Sequence, residues 1–180
     1  MAYTTIDDVK RILNIDDNSI TDAEIEDFID EAHRFLLADI GRDNAIYRTY
    51  LDYDKFGNLD KTIELPFKPI ESVEEVRVNG DITTDYTIDT SNGKVTLTGD
   101  VSAGDHIKIK YTPSIYKDYE TYRAAIDIIL RTLINTDSNV VNNLLQNYKE
   151  KWNEIRKTIK RENVVIMGYV EHKENLQDIW

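Results

Sequence analysis

The chain has 180 residues, enough for one domain or two small ones, and its 41% hydrophobic and 31% charged residues are typical of a folded globular protein. It contains no cysteine, which excludes disulfides, a thiol nucleophile and a cysteine-based zinc site. The formal net charge of -12 argues against a simple DNA-binding domain, because phosphate contacts need clustered Lys and Arg. We expect a soluble protein, because the start resembles no signal peptide and no apolar stretch approaches the ~20 residues that cross a bilayer.

Charge is distributed unevenly along the chain. Residues 1–60 hold fifteen Asp and Glu against six Lys and Arg, a net charge of -9. Residues 147–161 hold six basic and two acidic residues, a net charge of +4. Ordinary solvated helix faces would explain this uneven distribution. Complementary surfaces on neighbouring subunits, or an acidic wall along which nucleic acid slides, would explain it equally well.

Two helices are predicted before the first β segment. Thr5 is a plausible N-cap for the first helix, and Thr21 with Glu24 forms a capping box for the second. Gly41 stands where a C-terminal glycine ends a helix. The apolar stripe of the second helix has a period of 3.6 and consists of Ile25, Phe28, Ile29, Ala32, Phe35 and Leu36.

Between residues 46 and 112 the apolar residues alternate with polar ones, which predicts short antiparallel strands in a small sandwich or barrel. Ile46–Leu51 is rich in β-branched and aromatic residues, and we predict that Thr62–Leu65 returns against it after a turn at residues 56–58. The dipeptides at 79–80 and 92–93 are both Asn-Gly, which accepts the positive φ of tight turns.

Helical periodicity returns after Pro113. A wide apolar face from Tyr122 to Ile134 predicts a central buried helix. After a break at residues 136–138, a narrow apolar stripe runs from Val141 to Ile159 and suits packing against a partner helix, in the same chain or another copy. Residues 164–170 form an apolar, strand-like run that pairs with this chain's own sheet or with another chain. We favour another chain, because Trp180 offers an anchor.

These elements predict an α+β protein. A discontinuous helical bundle, residues 1–42 plus 116–162, is interrupted by an inserted small antiparallel β domain, residues 43–115. Residues 163–180 are predicted to form an extended C-terminal tail.

The residues that usually carry catalysis are not arranged for it. No Gly-x-Ser-x-Gly elbow exists, the seven glycines form no phosphate-binding loop, and His33, His106 and His172 lack a metal-binding spacing. We therefore expect no enzymatic activity, no cofactor and no metal. Tyrosines cluster at residues 47–53 and 111–122, as they do at protein interfaces and at junctions between modules.

One acidic loop partly matches a calcium site. Asp52, Asp54, Gly57 and Asp60 occupy EF-hand positions 1, 3, 6 and 9. The match then fails, because Ile63 replaces the bidentate Glu and the flanking residues favour strands. We interpret the loop as a hairpin tip.

Three stretches carry a family resemblance: YTTIDDVK at residues 3–10, ITDAEI at residues 20–25 and LPFKPIESV at residues 65–73. The β motifs VNG, DYTI, NGKVTL and AGDHI follow in order. This series resembles the head-to-tail connector (adaptor, head-completion) proteins of tailed phages.

The resemblance implies a structural virion protein, made in the host cytoplasm and placed in the neck at the capsid–tail junction. Such proteins form a ring, usually a dodecamer, that binds the portal, extends the DNA channel and meets the next tail or stopper protein. DNA passes through without sequence-specific binding, and no membrane is involved. The C-terminal segment of relatives reaches toward the portal. Here that segment offers Val164, Val165, Ile166, Met167, Tyr169, Val170 and Trp180.

Ring closure needs two different complementary patches on each subunit. The acidic N-terminal helices and the basic helix ending at Arg161 are the candidates. The candidate channel-lining acids are Glu24, Asp27, Asp30 and Glu31. The candidate subunit–subunit cations are Lys149, Lys151, Arg156, Lys157, Lys160 and Arg161.

Two other function classes compete with this interpretation. The β insert and its tyrosines also suit a module that binds a surface ligand, either a carbohydrate or a protein. A nucleic-acid regulator would use Thr21–Ile40 as its recognition helix, but the acidity of that helix speaks against binding in the major groove.

Overall fold

The computed structural model describes residues 2–15, 20–41, 44–133 and 139–177, with the backbone alone for Leu133 and for residues 162–177. The helices are α1 (Ile6–Leu13), α2 (Asp22–Ile40), α3 (Ser114–Ile128), which continues as a π-helical segment (Ile129–Leu133), and α4 (Asn139–Gln177). The strands are β1 (Ala45–Tyr50), β2 (Thr62–Glu64), β3 (Ile70–Val78), β4 (Asp81–Thr83), β5 (Tyr86–Asp89), β6 (Lys94–Leu97) and β7 (His106–Pro113). The chain divides into two compact units, one of Met1–Gly41 with Tyr116–Arg161 and one of Arg42–Ile115 with Glu162–Trp180.

Both N-terminal helices begin at capping boxes, at the N-cap residues Thr5 and Thr21 that the sequence predicted. The Thr5 and Thr21 side chains each accept a hydrogen bond from the backbone N–H three residues on, and the acid at that position accepts one from the cap backbone. Such reciprocal caps satisfy two N–H groups that a helix start otherwise leaves unpaired. Gly41 ends α2 with a left-handed φ of 72°, a conformation that costs glycine little.

The core of the helical unit draws apolar side chains from every helix. Val9 of α1, Ile25 of α2 and Ala124 of α3 are fully buried in one cluster. Four partly buried side chains of α4 pack against this cluster: Val141, Leu144, Leu145 and Tyr148. Further along α4, Ile159 is fully buried. The narrow stripe of the last helix thus finds its partner within the same chain.

The β unit contains two antiparallel sheets, one in the order β1-β7-β3-β4 and the other in the order β2-β6-β5. Buried side chains come from both sheets, such as Ile107 and Ile109 of β7 and Val95 and Leu97 of β6. The prediction that Thr62–Leu65 pairs with the first strand is wrong. β2 pairs with β6, whereas β1 pairs with β7 along all six residues. Local periodicity identified every strand except β4, but it carried no information about which strands pair with one another.

Tight turns fall where Asn-Gly dipeptides predicted them. Asn79 and Gly80, with φ of 53° and 97°, connect β3 to β4. At Gly93 the backbone approaches the neighbouring loop so closely that an added Cβ would lie 2.8 Å from the Cβ of Lys68. Only glycine fits at that point.

The C-terminal segment differs from the predicted extended, strand-like tail. α4 continues as helix to Gln177, which includes Val164–Val170. Trp180 and the predicted break at residues 136–138 lie outside the described residues. α3 begins at Ser114, directly after Pro113, and thus two residues before the predicted start of the second helical segment at residue 116. Among the described residues, none of the helices combines the length and apolarity that a bilayer span requires.

Candidate assembly surfaces

The four predicted channel acids lie on α2 but do not share one environment. The Glu24 carboxylate caps the helix, accepting hydrogen bonds from the Thr21 hydroxyl at 2.7 Å and the Thr21 backbone N–H at 3.0 Å, and these contacts lower the pKa of Glu24. Asp27 and Asp30 are exposed, and Glu31 forms an ion pair with Arg131 at 2.8 Å. The last three acids line a depression of about 550 Å³ together with His33 and Arg34. Of these four acids, Asp27 and Asp30 are therefore the exposed ones that neither cap the helix nor form an ion pair among the described residues.

The predicted basic surface on α4 is divided in two. Arg156 and Lys160 contact the Asp39 carboxylate of the same chain at 2.7 and 2.9 Å. Burial opposes ionisation of Asp39, but hydrogen bonds from Arg156, Lys160 and Tyr119 outweigh it and lower the pKa to about 2. These two cations stabilise the subunit itself.

The remaining predicted cations lie elsewhere on α4. Lys151, Lys157 and Arg161 are exposed and Lys149 is half-buried. Within the described part of the chain, no salt bridge involves Lys151 or Lys157. Lys157 and Arg161 are one helical turn apart and therefore share a face. Lys157 is therefore available for contact with another molecule, with Arg161 beside it on the helix.

A buried carboxylate ties the N-terminal segment to the helical unit. Glu120 of α3 is fully buried and accepts the backbone N–H groups of Tyr3 and Thr4 at 2.6 and 3.0 Å. Its second oxygen lies 2.7 Å from Nδ1 of His33 on α2. Burial raises the pKa of Glu120, although these donors counteract the effect. The arrangement fixes the segment before α1, and His33 has a structural role.

A second ionic contact lies along α3. Arg123 contacts the buried Asp127 at 3.1 Å, and its guanidinium lies over the rings of Phe35 and Trp152 at 4.4 and 5.3 Å. Burial raises the pKa of Asp127. Phe35, predicted as part of the apolar stripe, is 41% exposed and is covered by this cation instead of by the core.

In the β unit, β1 and β2 diverge into different sheets and leave a cleft between them. The reversal that connects them is a hairpin tip, in which Tyr53 pairs with Leu59 and the backbone N–H of Asp60 donates to the carbonyl of Asp52. The cleft has a volume of about 300 Å³. Its lining comprises Tyr47, Thr49, Tyr50, Asp52, Tyr53, Asp60, Thr62, Ile63 and Glu64. The predicted tyrosine cluster at residues 47–53 therefore lines this one cleft.

The acidic loop is a hairpin tip, as its sequence suggested. The Asp54 carboxylate accepts the backbone N–H groups of Phe56 and Asn58 at 2.8 and 2.9 Å, which lowers the pKa of Asp54. Both bonds go to Oδ1 of Asp54 and hold this carboxylate within the turn of the hairpin. Over the described residues, no group of His, Cys, Asp or Glu is arranged to hold a metal ion.

Sequence reasoning missed the two residues with the strongest polar contacts. Asp39 and Glu120 are single acids within helices, without a motif. The only signal for Glu120 was its place on an otherwise apolar face, four residues after Tyr116 and four before Ala124, both of which are buried. An acid at such a position needs buried donors, but the sequence does not say which ones.

The structure thus combines charged helix faces and an aromatic cleft on an α+β scaffold, features that are common on surfaces that bind other proteins. The chain belongs to the phage gp6-like head-tail connector protein family, whose model matches residues 3–111. It is therefore a structural protein of the phage head–tail connector, which places it in the virion neck in contact with other head and tail components. The matched region spans α1, α2 and the strands as far as Tyr111, and α3 and α4 follow it. A comparison with curated proteins found no match for this chain.

Proposed function

We propose that copies of this chain close into a ring, a dodecamer, that joins the capsid portal to the tail and extends the DNA channel. The observation that carries the proposal is the connector family match over residues 3–111. On one side the ring meets the portal, and on the other it meets the next tail or stopper protein. DNA passes through without sequence-specific binding.

The division of labour follows the predicted domains. Residues 1–42 and 116–162 build the ring, residues 43–115 decorate it, and residues 163–180 attach it to the portal. The family match supports the first assignment because it includes α1 and α2. The helical backbone of residues 163–177 supports portal attachment by an apolar helix in a groove. This mode replaces the strand pairing that the sequence suggested.

The channel wall in this proposal is the acidic face of α2. Asp27 and Asp30 are exposed, so their charge acts on solvent and on anything that passes. A negative wall repels the phosphates of DNA and prevents the chain from holding it in transit. Glu24 and Glu31 contribute less, because one caps its helix and the other pairs with Arg131.

The subunit contact in this proposal joins different surfaces of neighbouring copies, as any closed ring of more than two requires. The cations of α4 that face solvent form one of these surfaces. Arg156 and Lys160 lie next to this surface but do not make the subunit contact themselves, because both already form ion pairs with Asp39 of the same chain.

Light scattering of the purified protein, alone and with the portal protein of the same phage, tests the ring. We expect a mass many times that of the 20.9 kDa chain, or its appearance when the portal is added. A protein that remains monomeric at high concentration and never joins the portal would contradict the proposal.

A further inference from the structure

We infer that the cleft between β1 and β2 binds a cationic side chain of a second copy, Lys157 on α4, with Arg161 beside it. The inference rests on the proposed ring, in which each copy presents two different surfaces to its neighbours. It assigns one partner surface to the β unit, in place of the acidic face of α2.

The shape and rings of the cleft suit one long side chain. Its volume of about 300 Å³ admits a side chain but not a folded domain. Tyr47, Tyr50 and Tyr53 contribute three aromatic rings, and Tyr53 is 61% exposed at the mouth. The faces of aromatic rings carry negative charge density and attract ammonium and guanidinium groups. The cleft therefore favours a cation over a neutral or anionic occupant.

The three carboxylates that line the cleft add negative charge, which also attracts a cation. Glu64 already pairs with Lys94 at 3.0 Å. In the described part of the chain, Asp52 and Asp60 form no salt bridge, and each uses one oxygen to accept a backbone N–H from a nearby residue. The hairpin from Asp52 to Asp60 holds three Asp and one Lys, a net charge of -2. A cation in the cleft meets uncompensated negative charge.

The chain itself supplies a complementary surface. Lys157 is exposed and forms no salt bridge among the described residues, and the exposed Arg161 lies one turn further along α4. Asp39 orients the adjacent Arg156 and Lys160, so the helix that presents Lys157 is anchored. A cleft on one copy and a cationic helix on the next form the heterologous pair that ring closure requires.

Cross-linking tests the contact directly, because the natural chain has no cysteine. Asp52→Cys is mixed with a size-tagged Lys157→Cys variant and treated with a short bis-maleimide. We expect a mixed product between the two chains. The control mixes Glu71→Cys, an exposed residue outside the cleft, with the same Lys157→Cys partner. Mixed product no greater than this control overturns the inference.

Light scattering of the same samples separates this inference from the ring proposal. Rings that form without the mixed product leave the ring proposal intact and contradict the cleft contact. A mixed product in an open or small oligomer supports the contact and contradicts ring closure.

Charge exchange provides a second test. Asp52→Lys is expected to weaken association, and Lys157→Glu in the same chain is expected to restore it, because each contact then regains opposite charges. Glu71→Lys combined with Lys157→Glu is the matched control and should show no rescue. Loss of association that Lys157→Glu does not restore counts against the contact.

The aromatic part of the cleft is tested by Tyr53→Ala against Phe56→Ala. Both side chains are exposed at the hairpin, but only Tyr53 lines the cleft. We expect Tyr53→Ala to weaken association about tenfold, as for loss of one desolvated cation–aromatic contact, and Phe56→Ala to leave it unchanged. Equal effects of the two substitutions contradict a role for the cleft.

Discussion

The carboxylate of Asp39, next to the end of α2, accepts two hydrogen bonds from the guanidinium of Arg156 on α4, at 2.7 and 3.0 Å. The hydroxyl of Tyr119 donates to the same carboxylate at 2.8 Å. Asp39 and Arg156 are 117 positions apart, with the strands β1 to β7 between them in sequence. The two halves of the interrupted helical unit are thus joined by a charged contact as well as by their apolar core.

Asp39→Ala is expected to lower the free energy of unfolding by about 1–3 kcal/mol, because Arg156, Lys160 and Tyr119 lose a shared acceptor. Urea denaturation followed by circular dichroism measures the change. Asp27→Ala is the matched control, since Asp27 is an exposed acid on the same helix, and should change stability by less than about 0.5 kcal/mol. Equal losses in both variants would show that helix propensity, not the contact, causes the effect.

The same carboxylate predicts how the protein responds to acid. The pKa of Asp39 is about 2 in the folded chain against an ordinary value of 3.8, so the folded state prefers the ionised form. This preference stabilises the fold by about 2 kcal/mol above pH 4, and the stabilisation is lost as the pH falls from about 4 to 2. Denaturation curves across that range should show a shallower loss in Asp39→Asn than in the natural chain. Parallel pH profiles would contradict the assignment.

The burial of Glu120 predicts that stability depends on pH in the opposite direction. Burial raises its folded pKa above the ordinary 4.5, so between these two values the folded carboxyl holds a proton that the unfolded one has lost. Stability therefore falls as the pH rises through that window, by at most about 1.4 kcal/mol per pH unit. Glu120→Gln removes the titration, and its stability relative to the natural chain should increase with pH. Glu26→Gln, at an exposed position of α2, is the control for the substitution itself and should change the free energy of unfolding by less than about 0.5 kcal/mol.

The local signals in the sequence were sufficient for α1, α2 and most of the strands. Thr21 with Glu24 and the glycine at 41 defined α2, because caps depend on residues only a few positions apart. Ile159 was recognisable as part of an apolar stripe, but the structure was needed to show that it packs into this chain's own core. A periodic pattern defines a face without defining its partner.

The long-range arrangement was not available from such patterns. Strand pairing of β2 with β6 and the Asp39–Arg156 contact both depend on residues far apart in sequence. The apolar run at 164–170 was read as a strand, because its β-branched residues favour strands, whereas continuation of α4 places it in a helix. The sequence predicted the tyrosine cluster but not the cleft, because the cleft forms only where β1 and β2 enter different sheets.

Deleting residues 163–180 tests whether the C-terminal segment attaches the ring to the portal. The buried α4 side chains Ile155 and Ile159 precede the deletion, so the truncated chain should retain its helical circular dichroism and nearly its full melting temperature. Co-sedimentation with the portal protein should be abolished, because the apolar side chains proposed to make the contact are gone. As a control, Val140→Ala removes an apolar side chain that is 75% exposed at the opposite end of α4 and should leave co-sedimentation intact. A large fall in melting temperature on truncation would instead assign the segment to the subunit's own fold, because loss of portal binding would then follow from unfolding.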